Sequence, residues 1–195
     1  MRLILVNYEY PPLGGGAGNA TAYIARALAR QAHDVSVVTG AFGDLPERER
    51  EGENLHVLRL PCRRARIDRS NYVEMLSFVA SAARALPRIA RELRADGLIV
   101  FFSLPCGPLG WLVRKRVGVP YVVSLRGGDV PGAEARVSTL HRVLAPLRRA
   151  VLRRARAVVA NSQGLAQLSD AIDPISVRVI PNGVDTGFFC PTSDP

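Results

Sequence analysis

The sequence predicts a doubly wound α/β domain, a mostly parallel sheet of about seven strands with helices on both faces. Three observations predict it. Short runs of Val, Ile, Leu and aromatic residues recur along the 195 residues, and several are continuously apolar, as strands covered on both faces are. Stretches with apolar residues at helical spacing lie between most of them. The first run leads directly into a Pro- and Gly-rich turn, "YEYPPLGGGAGN", where such a sheet would turn from strand to helix.

In chain order, strands are predicted at Leu3 to Val6, Val35 to Thr39, Leu55 to Leu60, Leu98 to Phe102, Tyr121 to Leu125, Ala157 to Ala160 and Val177 to Ile180. The first helix is predicted to start near Ala17, with Ala20, Ile24, Ala27 and Leu28 on one stripe. Further helices are predicted at 71 to 86, 108 to 117, 136 to 155 and 163 to 171, and Pro87 and Pro146 are expected to end or kink theirs. Residues 40 to 54 are polar and charged and read as an exposed excursion between the second and third strands. Residues 1–180 form one domain in this reading. Residues 181–195 have the Pro/Asn/Gly/Asp composition of an interdomain connection and are expected to lead toward a second domain.

The net charge is +9, yet only Lys115 among the 26 basic residues is a lysine, a bias that codon composition would also produce. Charge alone therefore does not select an anionic partner. Cys62, Cys106 and Cys190 are dispersed and odd in number, which suggests neither a disulfide framework nor a zinc site and fits a reducing cytoplasm. The apolar run ending at Asn7 is too short for a signal peptide. Gly97 to Val113 carries no charge, but Ser103, Pro105, Gly107, Pro108 and Gly110 break it into strand, loop and helix start.

Ligands of open α/β sheets bind beyond the carboxyl ends of the strands, so the segments after each strand carry the chemistry. Gly14, Gly15 and Gly16 can expose their amides at a helix N-terminus, which makes an anion, most naturally a phosphate, their occupant; the bland alternative is a tight turn. A dinucleotide fingerprint fits badly, because Asn19 stands where a third Gly or Ala belongs and the second strand ends in Thr39-Gly40 without a ribose-binding acid. A Walker lysine is also missing. After the strand at 121 to 125, "SLRGGDVPG" offers Arg126 as a fork for phosphate or carboxylate and Asp129 as an acceptor for hydroxyls, or the two as a loop ion pair. Ser103, Asn161 and Ser162 fall at the same sheet edge, where Ser162 also suits a helix N-cap. Arg63, Arg64, Arg66 and Arg69 precede an apolar helix and could meet an anionic membrane or a lipid-linked acceptor. Arg148, Arg149, Arg153, Arg154 and Arg156 read as a solvated face. Nucleic acid is disfavoured, since no stacking aromatics are interleaved with the arginines.

Taken together, "YEYPPLGGGAGNATAYIARALARQAHDVSVVTG", "VPYVVSLRGGDV", "RARAVVANSQG" and "VIPNGVDTGFF", with Phe189-x-Pro191 behind them, resemble the N-terminal domain of family 4 (group 1) nucleotide-sugar glycosyltransferases of the two-Rossmann, or GT-B, architecture. The resemblance covers essentially the whole chain. It implies a Rossmann-like half that holds the acceptor, a second half that holds most of the donor, and transfer with retention in the cleft between them. Carried over, Gly14, Gly15 and Gly16 would face the donor diphosphate, Arg126 and Asp129 would stand at the catalytic positions, and Tyr8, Asn19, Ser103, Asn161 and Ser162 would line the acceptor side. Many relatives have His where Arg126 stands, so a catalytic histidine is not implied here. The resemblance implies no cofactor beyond the nucleotide-sugar substrate, and no Asp-x-Asp metal motif occurs. It further implies little activity from this chain alone and a cytoplasmic setting, with attachment to the inner face of the membrane through the basic patch left open. The rival reading is a freestanding, non-catalytic α/β module for a small phosphorylated ligand.

Overall fold

The computed structural model describes residues 1–132, 138–186 and 189–190, without the side chains of 138–141. The helix start expected at 136 and Pro191 of the Phe-x-Pro triplet lie outside the described residues. The elements are β1 (Arg2–Val6), α1 (Gly16–Arg30), β2 (Asp34–Gly40), β3 (Arg48–Arg50), β4 (Leu55–Leu60), α2 (Tyr72–Glu92), β5 (Gly97–Phe101), α3 (Gly107–Val117), β6 (Tyr121–Leu125), α4 (Ser138–Arg154), β7 (Ala157–Ala160), α5 (Gln163–Ile172) and β8 (Val177–Val179). An irregular turn, Phe102–Cys106, joins β5 to α3.

Among the described residues the sheet has eight strands in the order β3-β4-β2-β1-β5-β6-β7-β8. Every pairing is parallel except β3 with β4. The strand not predicted is β3, an antiparallel edge piece within the segment read as an excursion; Arg59 of β4 secures it by donating to Glu49 at 2.7 Å and to the Pro46 carbonyl at 3.0 Å. The continuously apolar strands are the central ones. Ile4, Leu5, Val6, Val37, Val38, Val100, Phe101, Val123 and Leu125 are all buried, because helices cover both faces.

In α2 the buried stripe is Phe78, Ala82, Leu86 and Ala90. In α1 the fully buried positions are Gly18, Thr21, Ala22 and Ala25, while the predicted stripe of Ala20, Ile24, Ala27 and Leu28 is only half-buried: the small residues take the closest approach to the sheet and the larger ones flank it. Asn71 begins α2 with a capping box: its side chain accepts from the Glu74 amide at 3.0 Å while Glu74 accepts from the Asn71 amide at 3.1 Å. Neither Pro87 nor Pro146 ends its helix. Pro87 is buried with its neighbours Leu86 and Ala90, so packing outweighs the lost backbone hydrogen bond. The Gly118 cap of α3, at φ +83°, uses the left-handed conformation glycine tolerates.

Candidate active site

The strand order reverses at β1, which pairs with β2 on one side and β5 on the other. The crevice beyond their carboxyl ends is where a ligand of such a sheet sits. The loop after β1 and the turn after β5 flank it, and their aromatic rings meet there. Tyr8 and Phe102 lie 5.3 Å apart between ring centroids, and Phe102 takes φ +68°, an uncommon conformation for a bulky residue. Tyr8 is only 9% exposed, and burial pushes its hydroxyl well above the usual phenol range.

The glycine loop is built from both ends. Buried Asn7 donates to Thr21 Oγ1 at 2.8 Å and to the Ala17 carbonyl at 3.3 Å, and accepts from the Glu9 amide at 3.1 Å, which ties the end of β1 to the first turns of α1. Leu13 closes a turn onto the Tyr10 carbonyl at 2.9 Å. Gly14 has φ +84° and gives its amide to the Ile67 carbonyl at 2.8 Å, so this amide is not the bare donor the sequence suggested. Gly15 and Gly16 are different. They are exposed, a Cβ on either would meet nothing within 4 Å, and Gly15 is the N-cap of α1 with no side-chain cap. The approachable part of the loop therefore begins at Gly15, at the positive end of the helix. Asn19, in the first turns of α1, is exposed.

The structure brings Ser103, Arg126 and Asp129 together, in a different arrangement from the one expected. Asp129 is 2% exposed; its Oδ2 accepts from the Ser103 amide at 2.5 Å and its Oδ1 from the Arg126 amide at 2.9 Å. Ser103 is fully buried and donates its hydroxyl to the Asp129 carbonyl at 3.0 Å. Both side chains thus fasten the β6 loop to the turn after β5, and both are engaged in these buried bonds. The expected Arg126–Asp129 side-chain pair also gives way. Arg126 lies over the Phe101 ring at 4.9 Å and donates to Asn182 Oδ1 at 2.8 Å, tying the β6 loop to the segment after β8. Its Nε is buried without a partner, and desolvation pulls its pKa down against the pull of Asp129.

At the end of β7, Asn161 is half-buried and Ser162 is exposed. Ser162 caps α5 by accepting from the Leu165 amide at 3.2 Å. Of the arginines before α2, Arg63, Arg66 and Arg69 are exposed, and Arg69 stands 3.8 Å from Asp68. Arg64 leaves this patch: its side chain is 3% exposed, turns inward, and donates to the Arg66 carbonyl at 2.7 Å. Beside the three outward arginines, Ile67, Tyr72, Val73 and Leu76 expose apolar surface. An open groove of about 830 Å³ continues from there between the end of β4 and α2, lined by Arg48, Arg63, Arg84 and Arg88. It lies beside the crevice rather than in it. The second arginine group is not uniformly solvated either. Arg148 is fully buried, paired with Asp173 and bonded to Ser169 Oγ at 3.0 Å, while Arg149 reaches the other Asp173 oxygen at 2.8 Å.

Sequence reasoning missed Asn7, Glu9, Asn182 and the Arg148–Asp173 pair. A lone Asn closing an apolar strand and a lone Glu before two prolines were the available signals for the first two. Among the described residues no group of three or more His, Cys, Asp or Glu stands together as a metal site, and no helix is long and apolar enough to cross a membrane.

The chain shares its fold with the sucrose-phosphate synthase of Thermosynechococcus elongatus, at a TM-score of 0.81 and 18% identity over all of this chain and 51% of that one. The catalytic domain of starch synthase IV from Arabidopsis thaliana, bound to ADP and acarbose, superposes with a TM-score of 0.66 at 16% identity over all of this chain and 54% of that one. In sequence it is 30% identical to a D-inositol 3-phosphate glycosyltransferase of Salinispora tropica over 94% of this chain and 40% of that protein. A second D-inositol 3-phosphate glycosyltransferase, from Segniliparus rotundus, matches at 30% identity over 60% of this chain and 27% of its own length, so the chain spans well under half of the curated relatives it matches. Residues 15–183, from the exposed glycines through the Asn182 contact, match the glycosyl transferase 4-like domain, and the chain belongs to that family.

Proposed function

We propose that this chain is the acceptor-binding half of a retaining glycosyltransferase, with residues 1–180 as the folded half and 181–195 as the start of the connection to a donor-binding half. The observation that carries the reading is the pair of exposed glycines, Gly15 and Gly16, at the N-terminus of α1 beside the sheet's switch point. Transfer breaks the bond between the anomeric carbon and the donor diphosphate, forms a bond to an acceptor oxygen, and releases the acceptor's proton. Negative charge grows on the leaving diphosphate. Preorganised amides at a helix N-terminus stabilise such charge, with no metal needed from this half.

Arg126, held between Phe101 and Asn182, positions the segment after β8 and adds positive charge to the same edge. Asp129 and Ser103 keep the β6 loop in place. The acceptor side is assigned to the surface around Tyr8, Asn19, Asn161 and Ser162. The curated relatives are named for D-inositol 3-phosphate, a phosphorylated polyol, which supports a hydroxylated acceptor. Arg63, Arg66 and Arg69, with exposed Ile67, Tyr72, Val73 and Leu76, support a lipid-linked acceptor and peripheral attachment to the cytoplasmic face of an anionic membrane.

The test is a screen of nucleotide sugars for hydrolysis and transfer, run on this chain and on a polypeptide that continues through a second domain. Activity is expected only in the longer protein. Sugar transfer by the 195-residue chain alone would refute the division of labour, and no activity from either would refute the enzyme reading. Liposome sedimentation tests the membrane arm: salt-sensitive binding to anionic vesicles is expected, and equal binding to neutral ones would remove it.

A further inference from the structure

The glycine loop already holds an anion of its own. Glu9 folds back onto it so closely that a Cβ on Gly14 would stand 2.6 Å from Glu9 Cδ and Oε2. Its carboxyl group is also drawn toward ionisation by the nearby Gly15 backbone, at the N-cap of a helix that has no side-chain cap and no acidic residue in its first turn. On the other side, Arg64 Nη2 stands 3.8 Å from Glu9 Oε1, with the two side chains 3% and 12% exposed. Arg64 is in turn fixed by the carbonyls of Arg66 and Ile67, and Ile67 also takes the Gly14 amide. Glu9, Arg64 and the first turn of α1 thus form one closed set.

We propose that Glu9 is the resident counter-ion of the glycine loop and sets its ligand specificity: a phosphate group reaches the Gly15 amide only by displacing this carboxylate. The proposal rests on the reading of the loop as a diphosphate site. Burial raises the cost of keeping Glu9 ionised, so the carboxylate is held there under opposition. Two anions cannot share one helix N-terminus without strong repulsion. A singly charged ligand has no advantage over the resident group. A diphosphate brings more charge, and once Glu9 swings away it finds the Arg64 guanidinium already fixed beside the loop. Glu9 therefore filters for polyanions and keeps the loop charge-balanced when no donor is bound.

The test uses the full chain and inorganic pyrophosphate. Calorimetric titration of the wild type and Glu9→Gln is expected to show at least tenfold tighter binding by the variant, because glutamine keeps the size and polarity of the side chain but carries no charge. In the wild type, the ¹³C resonance of the Glu9 carboxyl is expected to shift on saturation, a readout that needs no variant to fold. Equal or weaker binding by Glu9→Gln, or an unmoved carboxyl resonance while the Gly15 amide shifts, would overturn the displacement and leave the loop reading standing. Absence of binding by both proteins would overturn the loop reading and this proposal with it.

Discussion

Of the two glycine-bearing loops at the ligand edge, the one after β1 keeps part of its backbone at the surface. Asn7 and Glu9 brace it from within, the Ile67 carbonyl takes the Gly14 amide from a neighbouring segment, and Gly15 and Gly16 are exposed. The one after β6 is fastened to its neighbour by its own acid: Asp129 spends one carboxylate oxygen on the Arg126 amide within the loop and the other on the Ser103 amide of the turn after β5, and Gly127, at φ +115°, lets the chain turn sharply enough for this. Both loops show in the sequence as glycines after a strand, and both read there as sites for an anionic group. The difference teaches that burial decides the use of a polar group. A buried acid whose two oxygens both meet backbone amides becomes a fastener, while a helix N-terminus at the surface, faced only by a carboxylate that a ligand could displace, keeps its amides within a ligand's reach.

The largest effect is expected at Asp129. Asp129→Ala strands one buried and one half-buried amide and should cost about 4 kcal/mol in urea unfolding. A loss below about 1 kcal/mol would mean that the β6 loop is not sealed as described. Arg148→Ala, behind the same loop, should cost about 3 kcal/mol, because Asp173 stays buried with only Arg149 to pair with. In the glycine loop the contrast lies between adjacent residues. Gly14→Ala forces a left-handed alanine against Glu9 and should cost about 2 kcal/mol, whereas Gly15→Ala meets open space and should cost well under 1 kcal/mol. Ser162→Ala removes only a cap and should cost about 1 kcal/mol.

The smallest effect is a pH dependence of opposite sign at two carboxylates. Hydrogen bonds from the Asn71 and Ala65 amides hold Glu74 below its ordinary pKa, so its contribution is present above the unfolded value and lost as pH falls through the folded one. Burial holds Glu9 above its ordinary pKa, so its contribution is present below the unfolded value and lost as pH rises through the folded one. Thermal melts should therefore show that Glu74→Gln flattens the acid limb of the stability curve. Glu9→Gln should narrow its deficit, or gain on the wild type, as pH rises. Parallel curves for the two variants would contradict this.

The sheet was legible because its strands are continuously apolar, and the α5 cap because Ser precedes an apolar-periodic stretch. β3 was not, because Arg48–Arg50 at a sheet edge has no apolar face to show. Pro87 hid the length of α2, since tertiary packing overrode a local rule. The site was legible in outline only. Arg64 and Arg148 carry the same charge as their exposed neighbours, and only the fold decides which arginine finds a buried acid. Glu9 and Asn182 matter through partners 55 or more residues away, Arg64 and Arg126, a pairing that spacing along the chain does not encode.

The most direct measurement is an amide NMR titration of the chain with uridine diphosphate, used as a soluble nucleoside diphosphate. The account predicts that the Gly15 and Gly16 resonances move together and saturably while the Asp129-bound amides of Ser103 and Arg126 stay fixed. Shifts confined to the β6 loop, with the glycine amides unmoved, would contradict it.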